Sequence, residues 1–127
     1  MDESLFLLDS DICIYALLGR SAALKDRLAQ QPEGTVAISA VTLAEVGVGY
    51  GEAMDDADEL QAFLGEVEVL PFDEAAARAY AALPFRRGSF DRLIAGHAIS
   101  AGRILVTNNE QDFADLPHLK IENWVKP

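Results

Sequence analysis

The chain has 127 residues, half of them apolar, and a formal net charge of −11 at pH 7. This length predicts a single domain, residues 1–127, and the apolar content excludes extensive disorder. The strong negative charge argues against broad, nonspecific binding of nucleic acid. The single cysteine, Cys13, excludes an internal disulfide and is typical of a reducing cytoplasm. We expect it to be a small, buried packing residue.

Neither a secretion signal nor a membrane segment is predicted. The first residues include Asp2 and Glu3, and no apolar stretch of signal-peptide length follows them. A membrane helix needs about 18 or more consecutive apolar residues, and the sequence has no such run. We therefore expect a soluble cytoplasmic protein without a membrane partner.

Predicted strands and helices alternate along the chain. The predicted strands are residues 5–8, 36–39, 66–72, 103–108 and 119–124. Helical spacing or composition is found within residues 12–30, 40–51, 55–67, 73–83 and 89–102. Ser89 is the expected N-cap of the last helix and Gly102 its expected C-cap. This alternation predicts an α/β fold with a parallel sheet and helices on both faces.

Charge is unevenly distributed along the sequence. Residues 46–77 contain nine acids and no basic residue, a pattern typical of solvated helix faces. Residues 86–109 contain four arginines and one acid, Asp91. Arg86, Arg87 and Arg92 lie beside this acid and form a locally positive stretch in an acidic chain.

Four acidic residues, Asp9, Glu45, Asp91 and Asp112, interrupt otherwise apolar sequence. Alone, Asp91 can be a helix-dipole partner and Asp112 an ordinary loop acid. Together the four indicate a site, because clustered carboxylates repel one another unless a cation offsets their charge. Oxygen ligands without His or Cys favour Mg²⁺ or Mn²⁺ over zinc, and such a site suits phosphodiester hydrolysis. His97 is expected to pack within its helix and His118 to lie in a surface loop.

The carboxyl ends of the predicted strands provide the place for this site. Ligands of open parallel sheets bind beyond these ends. Asp9 follows the first strand there, and Thr107, Asn108 and Asn109 follow a later one. We therefore expect these positions to lie close together.

The ordered segments "LLDSDICIY", "ISAVTLAEV", "SFDRLIAGHAI" and "LVTNNEQDF" resemble those of PIN-domain ribonucleases, in particular VapC-type toxins of toxin–antitoxin pairs. The resemblance covers about residues 5–124. It implies a three-layer α/β/α fold around a five-stranded parallel sheet and Mg²⁺- or Mn²⁺-dependent endonucleolytic cleavage of RNA. It also implies a homodimer and a cognate antitoxin that covers the acidic site. Because RNA is the implied substrate, we predict that Arg86, Arg87 and Arg92 contact its phosphates.

By this resemblance, Asp9, Glu45 and Asp91 match the first three acids of the family. Asp112 is assigned as the fourth, although many members have an acid where this chain has Asn109. Asp9, Asp91 and Asp112 are the implied metal ligands. Thr107, Asn109 and Ser10 are implied supporting residues, with the Thr107 hydroxyl orienting a water or an acid.

The first acidic pair has a second interpretation. Asp11 stands where relatives carry Asn, and we expect it to cap the following helix rather than to bind the metal. The segment "LLDSDICI" also resembles the nucleophile motif of haloacid-dehalogenase-type phosphatases, in which Asp9 would attack phosphorus and Asp11 would act as acid and base. Only 20 residues follow Thr107, and they lack the acidic pair that such enzymes need.

Two non-catalytic alternatives remain open. In a phospho-receiver domain the accepting Asp would end a mid-chain apolar strand, and "GVGYGEAMDDADE" offers none. A catalytically degenerate PIN domain would bind RNA without cleaving it, since the fourth acid is ambiguous.

Overall fold

The computed structural model describes residues 4–126, so Asp2 and Glu3 of the acidic start lie outside the described residues. Five short strands form one sheet: β1 (Phe6–Leu8), β2 (Val36–Ser39), β3 (Glu68–Leu70), β4 (Ile104–Val106) and β5 (Ile121–Glu122). Six α-helices accompany them: α1 (Ser10–Leu18), α2 (Ala22–Ala29), α3 (Ala40–Val48), α4 (Asp58–Glu66), α5 (Glu74–Ala81) and α6 (Phe90–Ala101). Two short 3₁₀-helices cover Gly51–Asp56 and Glu110–Phe113.

The sheet is parallel throughout, with strand order β3-β2-β1-β4-β5. Side chains of β1 alternate between two apolar cores. Phe6 and Leu8 pack with residues of α1, α2 and α4, whereas Leu7 packs with residues of α6. Helices therefore cover both faces, which confirms the three-layer α/β/α fold with a five-stranded parallel sheet.

The predicted helical region 12–30 is two helices instead of one. Gly19 ends α1 in a left-handed conformation, with φ of 63°, which glycine adopts without the steric cost of a Cβ. Ser21 then caps α2 by accepting a hydrogen bond from the Leu24 N–H. The apolar spacing continues across this break, so periodicity alone did not reveal it.

Helix α6 packs tightly against α5 through Gly96. A Cβ at this position would come within 2.7 Å of the Tyr80 backbone nitrogen. Only glycine therefore allows this approach, which helps to fix the position of α6 and of Asp91 in its first turn. Gly102 ends α6 as predicted, but Ser89 stands at its N-cap position without a side-chain capping hydrogen bond.

Two sequence-based expectations about packing are confirmed. Cys13 is fully buried, and burial raises the pKa of its thiol well above the usual value. His97 is buried in α6, where its Nδ1 lies 2.8 Å from the Ser39 hydroxyl and its ring meets Phe72 edge-on. The longest described helix, α6, has 12 residues, and none among residues 4–126 is long and apolar enough to cross a membrane.

Candidate functional site

The chain reverses its strand order between β1 and β4, and polar residues follow both strands at this point. The Asp9 N–H donates to the carbonyl of Val106, the last residue of β4, at 3.0 Å. The Asn109 side-chain amide donates to the Asp11 carboxylate at 2.9 Å. The prediction that the residues after the two strands lie together is therefore confirmed, at the place where open α/β sheets bind ligands.

Asp9 is the most buried acid of the group, with 2% of its surface exposed. Its carboxylate caps α1 by accepting a hydrogen bond from the Ile12 N–H at 2.9 Å. The pKa of Asp9 is raised to about 6, mainly by burial, with smaller upward effects from the charges of Asp11 and Asp91 and with hydrogen bonds from Thr107 and Ile12 opposing the rise. Part of the Asp9 population therefore holds a proton near neutral pH in the ion-free protein.

Asp91 lies in the first turn of α6 and is half-buried. Burial raises the pKa of this carboxyl, and the negative charges of Glu45, Asp11 and Asp112 raise it as well. Arg92 opposes these effects only in part. Asp91 is thus electrostatically coupled to the acids on α1, on α3 and in the second 3₁₀-helix.

Glu45 extends from α3 toward the start of α1. Its Oε1 accepts a hydrogen bond of 2.6 Å from the Ser10 hydroxyl, and both residues are largely shielded from solvent. This contact gives Ser10 a definite role, because it fixes the orientation of a carboxylate that acts on Asp91.

Thr107 is fully buried at the end of β4 and its side chain is hydrogen-bonded to Asp9. Its hydroxyl oxygen also accepts a hydrogen bond of 3.0 Å from the Asn109 N–H. Thr107 therefore links the strand end to Asp9 and shapes the loop that carries Asn109. Asp112, in the second 3₁₀-helix, is exposed at the edge of this group.

The expected role of Asp11 as a helix cap is wrong, since Asp9 itself caps α1. Asp11 is exposed, accepts the hydrogen bond from Asn109, and adds negative charge that raises the pKa of both Asp9 and Asp91. Asp11 therefore belongs to the acidic cluster, although the sequence predicted only a local structural role for it. Its spacing two residues after Asp9 was the available signal.

The prediction for Arg92 is also corrected. Its side chain is 2% exposed and donates hydrogen bonds to the Asp115 carboxylate at 2.7 Å and to the Asp112 carbonyl at 3.2 Å. In this position the guanidinium is not available to an RNA phosphate. Asp115, whose pKa is lowered by the hydrogen bond from Arg92, was not recognised in the sequence, and no motif marks it.

Arg86 and Arg87, in contrast, lie at the surface in the connection from α5 to α6. Arg86 is half-exposed, and its Nη2 is 3.9 Å from the Asp115 carboxylate. The position of both residues is compatible with the predicted phosphate contacts.

The acidic cluster fits a divalent cation by the chemistry of its donors. All are carboxylates, and the raised pKa values of Asp9 and Asp91 reflect a repulsion that a cation would relieve. Within residues 4–126, however, no three His, Cys, Asp or Glu side chains are arranged to hold a metal ion, so Asp9, Asp91 and Asp112 do not form a ready-made ligand set. Mg²⁺ commonly uses one or two carboxylates and keeps several waters, so a smaller protein ligand set is sufficient.

The family model for the PIN domain matches residues 6–119. The chain belongs to the PIN-domain family. The tRNA(fMet)-specific endonuclease VapC of Shigella flexneri is 36% identical to it, over 94% of this chain and 97% of the relative. Ribonuclease VapC2 of Rickettsia felis is 32% identical, over 96% and 99%.

Solved structures of PIN-domain relatives show the same architecture. The chain is similar to a VapBC2 chain from Rickettsia felis, bound to a DNA fragment from their promoter, with a TM-score of 0.80 and 29% identity over 94% of this chain and 98% of that chain. DNA-bound VapBC from Salmonella typhimurium also gives a TM-score of 0.80 and 29% identity, over 95% and 98%. The resemblance inferred from the four sequence segments is therefore confirmed at the level of family and fold.

Proposed function

We propose that this PIN-domain chain is the ribonuclease toxin of a VapC-type toxin–antitoxin pair and that it hydrolyses a phosphodiester in structured RNA, such as a tRNA or rRNA loop. The single observation that supports this most strongly is the coupled group of carboxylates at the β1–β4 switch point. Its partly buried members have raised pKa values, which is typical of functional sites. The names of the Shigella and Rickettsia relatives supply the substrate class.

The cofactor in this proposal is Mg²⁺ or Mn²⁺. Asp9 and Asp91 would hold it, in keeping with the one or two carboxylates that Mg²⁺ commonly uses, and Glu45 and Asp112 would complete the acidic group around it. When bound, such a cation activates water and offsets negative charge at the scissile phosphate. Thr107 orients Asp9 through a hydrogen bond, and Ser10 orients Glu45. Asn109 holds Asp11 at the edge of the site.

The phosphatase alternative gains nothing from the structure. Asp9 is 2% exposed and caps α1, so an attack of its carboxylate on phosphorus would require it to leave this position. Glu45 and Asp91 would have no role in that chemistry, although both are coupled to the same site.

The protein partner in this proposal is an antitoxin, because the similar solved structures include VapBC complexes. A groove of about 980 Å³ between α1, α2 and α4 offers a place for it. Leu17, Leu18 and Phe63 supply apolar lining, and Glu59 and Glu66 supply negative charge. This surface suits an amphipathic basic segment of the antitoxin. Dimerisation stays a prediction of the family resemblance.

The decisive experiment incubates the purified chain with structured RNA, with and without Mg²⁺ or Mn²⁺. Cleavage should require the metal and should be lost in both Asp9→Asn and Asp91→Asn. The control variant Asp55→Asn, which changes an exposed acid in the first 3₁₀-helix, should cleave normally. Metal-independent cleavage, or an acyl phosphate on Asp9, would refute the proposal. Growth arrest on expression, relieved by a small protein encoded upstream, tests the toxin assignment separately.

A further inference from the structure

The connection between α5 and α6 exposes two aromatic rings beside two arginines. Residues 85–90, here called the aromatic–arginine loop, contain Phe85, Arg86, Arg87 and Phe90. Phe85 is 78% exposed and Phe90 is 56% exposed. Single exposed apolar residues are common on protein surfaces, but two phenylalanines flanking two arginines within six residues form a specific chemical pattern.

Both rings are free to accept a planar partner. Among residues 4–126, the aromatic pairs are Phe6–Trp124 and Phe72–His97, and the cation–π contacts involve Tyr15 and Trp124. Neither Phe85 nor Phe90 is covered by another ring or by a guanidinium in that part of the chain.

The loop borders the acidic site. Arg86 lies 3.9 Å from Asp115, and Asp115 accepts the hydrogen bond from the buried Arg92. Arg92 also donates to the carbonyl of Asp112 at 3.2 Å, so the loop is connected to the segment of Asp112 through Asp115 and Arg92. Phe90 is adjacent in sequence to Asp91 in the first turn of α6.

The charge of the loop complements phosphate. The six residues carry two arginines and no acid within a chain of net charge −11. Arg87 is exposed and makes no ion pair with residues 4–126, and Arg86 is 50% exposed. Guanidinium groups next to free aromatic rings form the combination by which proteins bind unpaired nucleotides: the rings stack on bases and the cations contact the backbone.

We propose that Phe85 and Phe90 are stacking platforms for unpaired RNA bases and that Arg86 and Arg87 contact the phosphates beside them. This inference rests on the proposed ribonuclease function and identifies the residues that would bind the unpaired bases of its RNA substrate. Bases within a continuous duplex are already stacked on their neighbours and cannot reach the two rings.

Binding measured without cleavage tests the proposal. The full chain is titrated, in chelator, into a short RNA carrying the fluorescent base 2-aminopurine, either single-stranded or annealed to its complement. The variants are Phe85→Leu, Phe90→Leu and the double change, which keep an apolar surface but remove the ring. Val48→Ala is the matched control, because Val48 is 82% exposed on α3, outside the loop.

Each leucine variant should bind the single strand about tenfold more weakly, in keeping with the energy of base–aromatic stacking. The quenching of 2-aminopurine fluorescence should decrease along with the affinity. Replacing Phe85 by Trp instead of Leu should keep both the affinity and the quenching, because Trp also supplies a ring. The control should match the wild type, and the wild type should prefer the single strand to the duplex. Equal affinity of the double leucine variant and the wild type, within about twofold, would overturn the inference.

Salt dependence separates the two kinds of residue. Replacing Arg86 and Arg87 by Ala should reduce the slope of log affinity against log salt by about 1.4, because two phosphate contacts are lost. The phenylalanine variants should keep the wild-type slope. A reduced slope in the phenylalanine variants, or a change in their sedimentation with unchanged RNA affinity, would overturn the assignment of the rings to bases.

These outcomes are independent of catalysis. If Asp9→Asn abolishes metal-dependent cleavage while the leucine variants bind normally, only the stacking inference fails. If the leucine variants lose binding while no metal-dependent cleavage exists, the loop binds RNA and the proposed ribonuclease function fails.

Discussion

Two groups of acids in this chain differ in environment rather than in chemistry. The nine acids of residues 46–77 all lie at the surface. At the β1–β4 switch point, in contrast, Asp9 is buried and Asp91 is half-buried, and both have raised pKa values. The comparison shows that a large number of carboxylates does not by itself mark a candidate site, whereas burial of carboxylates next to one another raises their pKa values, as is typical of functional sites.

The largest expected difference in cleavage rate is between variants of Asp9 and of Asp11. The two acids are only two residues apart, but Asp9 is buried and Asp11 is exposed. Loss of a hydrogen-bonding partner of a metal ligand typically costs 10–100-fold in activity, so Asp9→Asn should cost more than about 100-fold. Asp11→Asn should stay within a few-fold, because Asn can also accept the hydrogen bond from Asn109. The measurement is the rate of metal-dependent RNA cleavage. Equal losses would mean that burial does not separate the two acids and would favour a joint role for the pair.

Arg92 connects α6, which carries Asp91, to the segment that carries Asp112. Arg92→Met should lower the free energy of unfolding by about 2 kcal/mol, because the partly buried hydrogen bonds to the Asp115 carboxylate and to the Asp112 carbonyl are lost. Urea unfolding measures this. Arg86→Met is the control, since its contact with Asp115 is long and half-exposed, and it should cost less than about 1 kcal/mol. Equal costs would show that Arg92 does not connect the two segments in the way described.

The raised pKa of Asp9 predicts that this residue lowers the free energy of unfolding in a pH-dependent way. Because this pKa rises from 3.8 to about 6 on folding, the ionised carboxylate destabilises the fold above pH 6, and the cost disappears below pH 4. Asn keeps the helix cap and removes the charge. In chelator, Asp9→Asn should therefore be about 2 kcal/mol more stable than the wild type at pH 8, and about equally stable at pH 4. Urea unfolding at the two pH values is the test, and a gain of the same size at both would contradict burial of an ionised Asp9.

The surface acids give the smallest expected effect. Asp55→Asn and Asp56→Asn change exposed residues of the first 3₁₀-helix, so each should alter the free energy of unfolding by less than about 0.5 kcal/mol and leave cleavage unchanged. A larger loss of cleavage would show that the acidic stretch takes part in the chemistry.

Much of the fold could be predicted because apolar periodicity and strand–helix alternation are local properties of the sequence. The break at Gly19 was missed because apolar spacing continues through it, and the two 3₁₀-helices are too short to show a period. The juxtaposition of Asp9 with the residues after β4 followed from the parallel topology alone.

The site could be predicted only in part, since burial and pairing depend on distant residues. Asp9, and not Asp11, caps α1 while also lying in the acidic cluster, and Asp11 instead accepts a hydrogen bond from Asn109, which is 98 residues away in the sequence. Arg92 appeared to be a surface cation because its partner, Asp115, is 23 residues away and carries no recognisable motif. The assignment of Asp9, Glu45, Asp91 and Asp112 as functional residues remains a prediction.

We propose that the acids of the switch point, and not the more numerous surface acids, hold a divalent cation. Calorimetric titration of the purified chain with Mn²⁺ tests it, with Asp9→Asn and Asp55→Asn as a matched pair of variants. The wild type and Asp55→Asn should show the same saturable binding, and Asp9→Asn should lose it. Equal binding by all three proteins, or loss in Asp55→Asn alone, would contradict the claim.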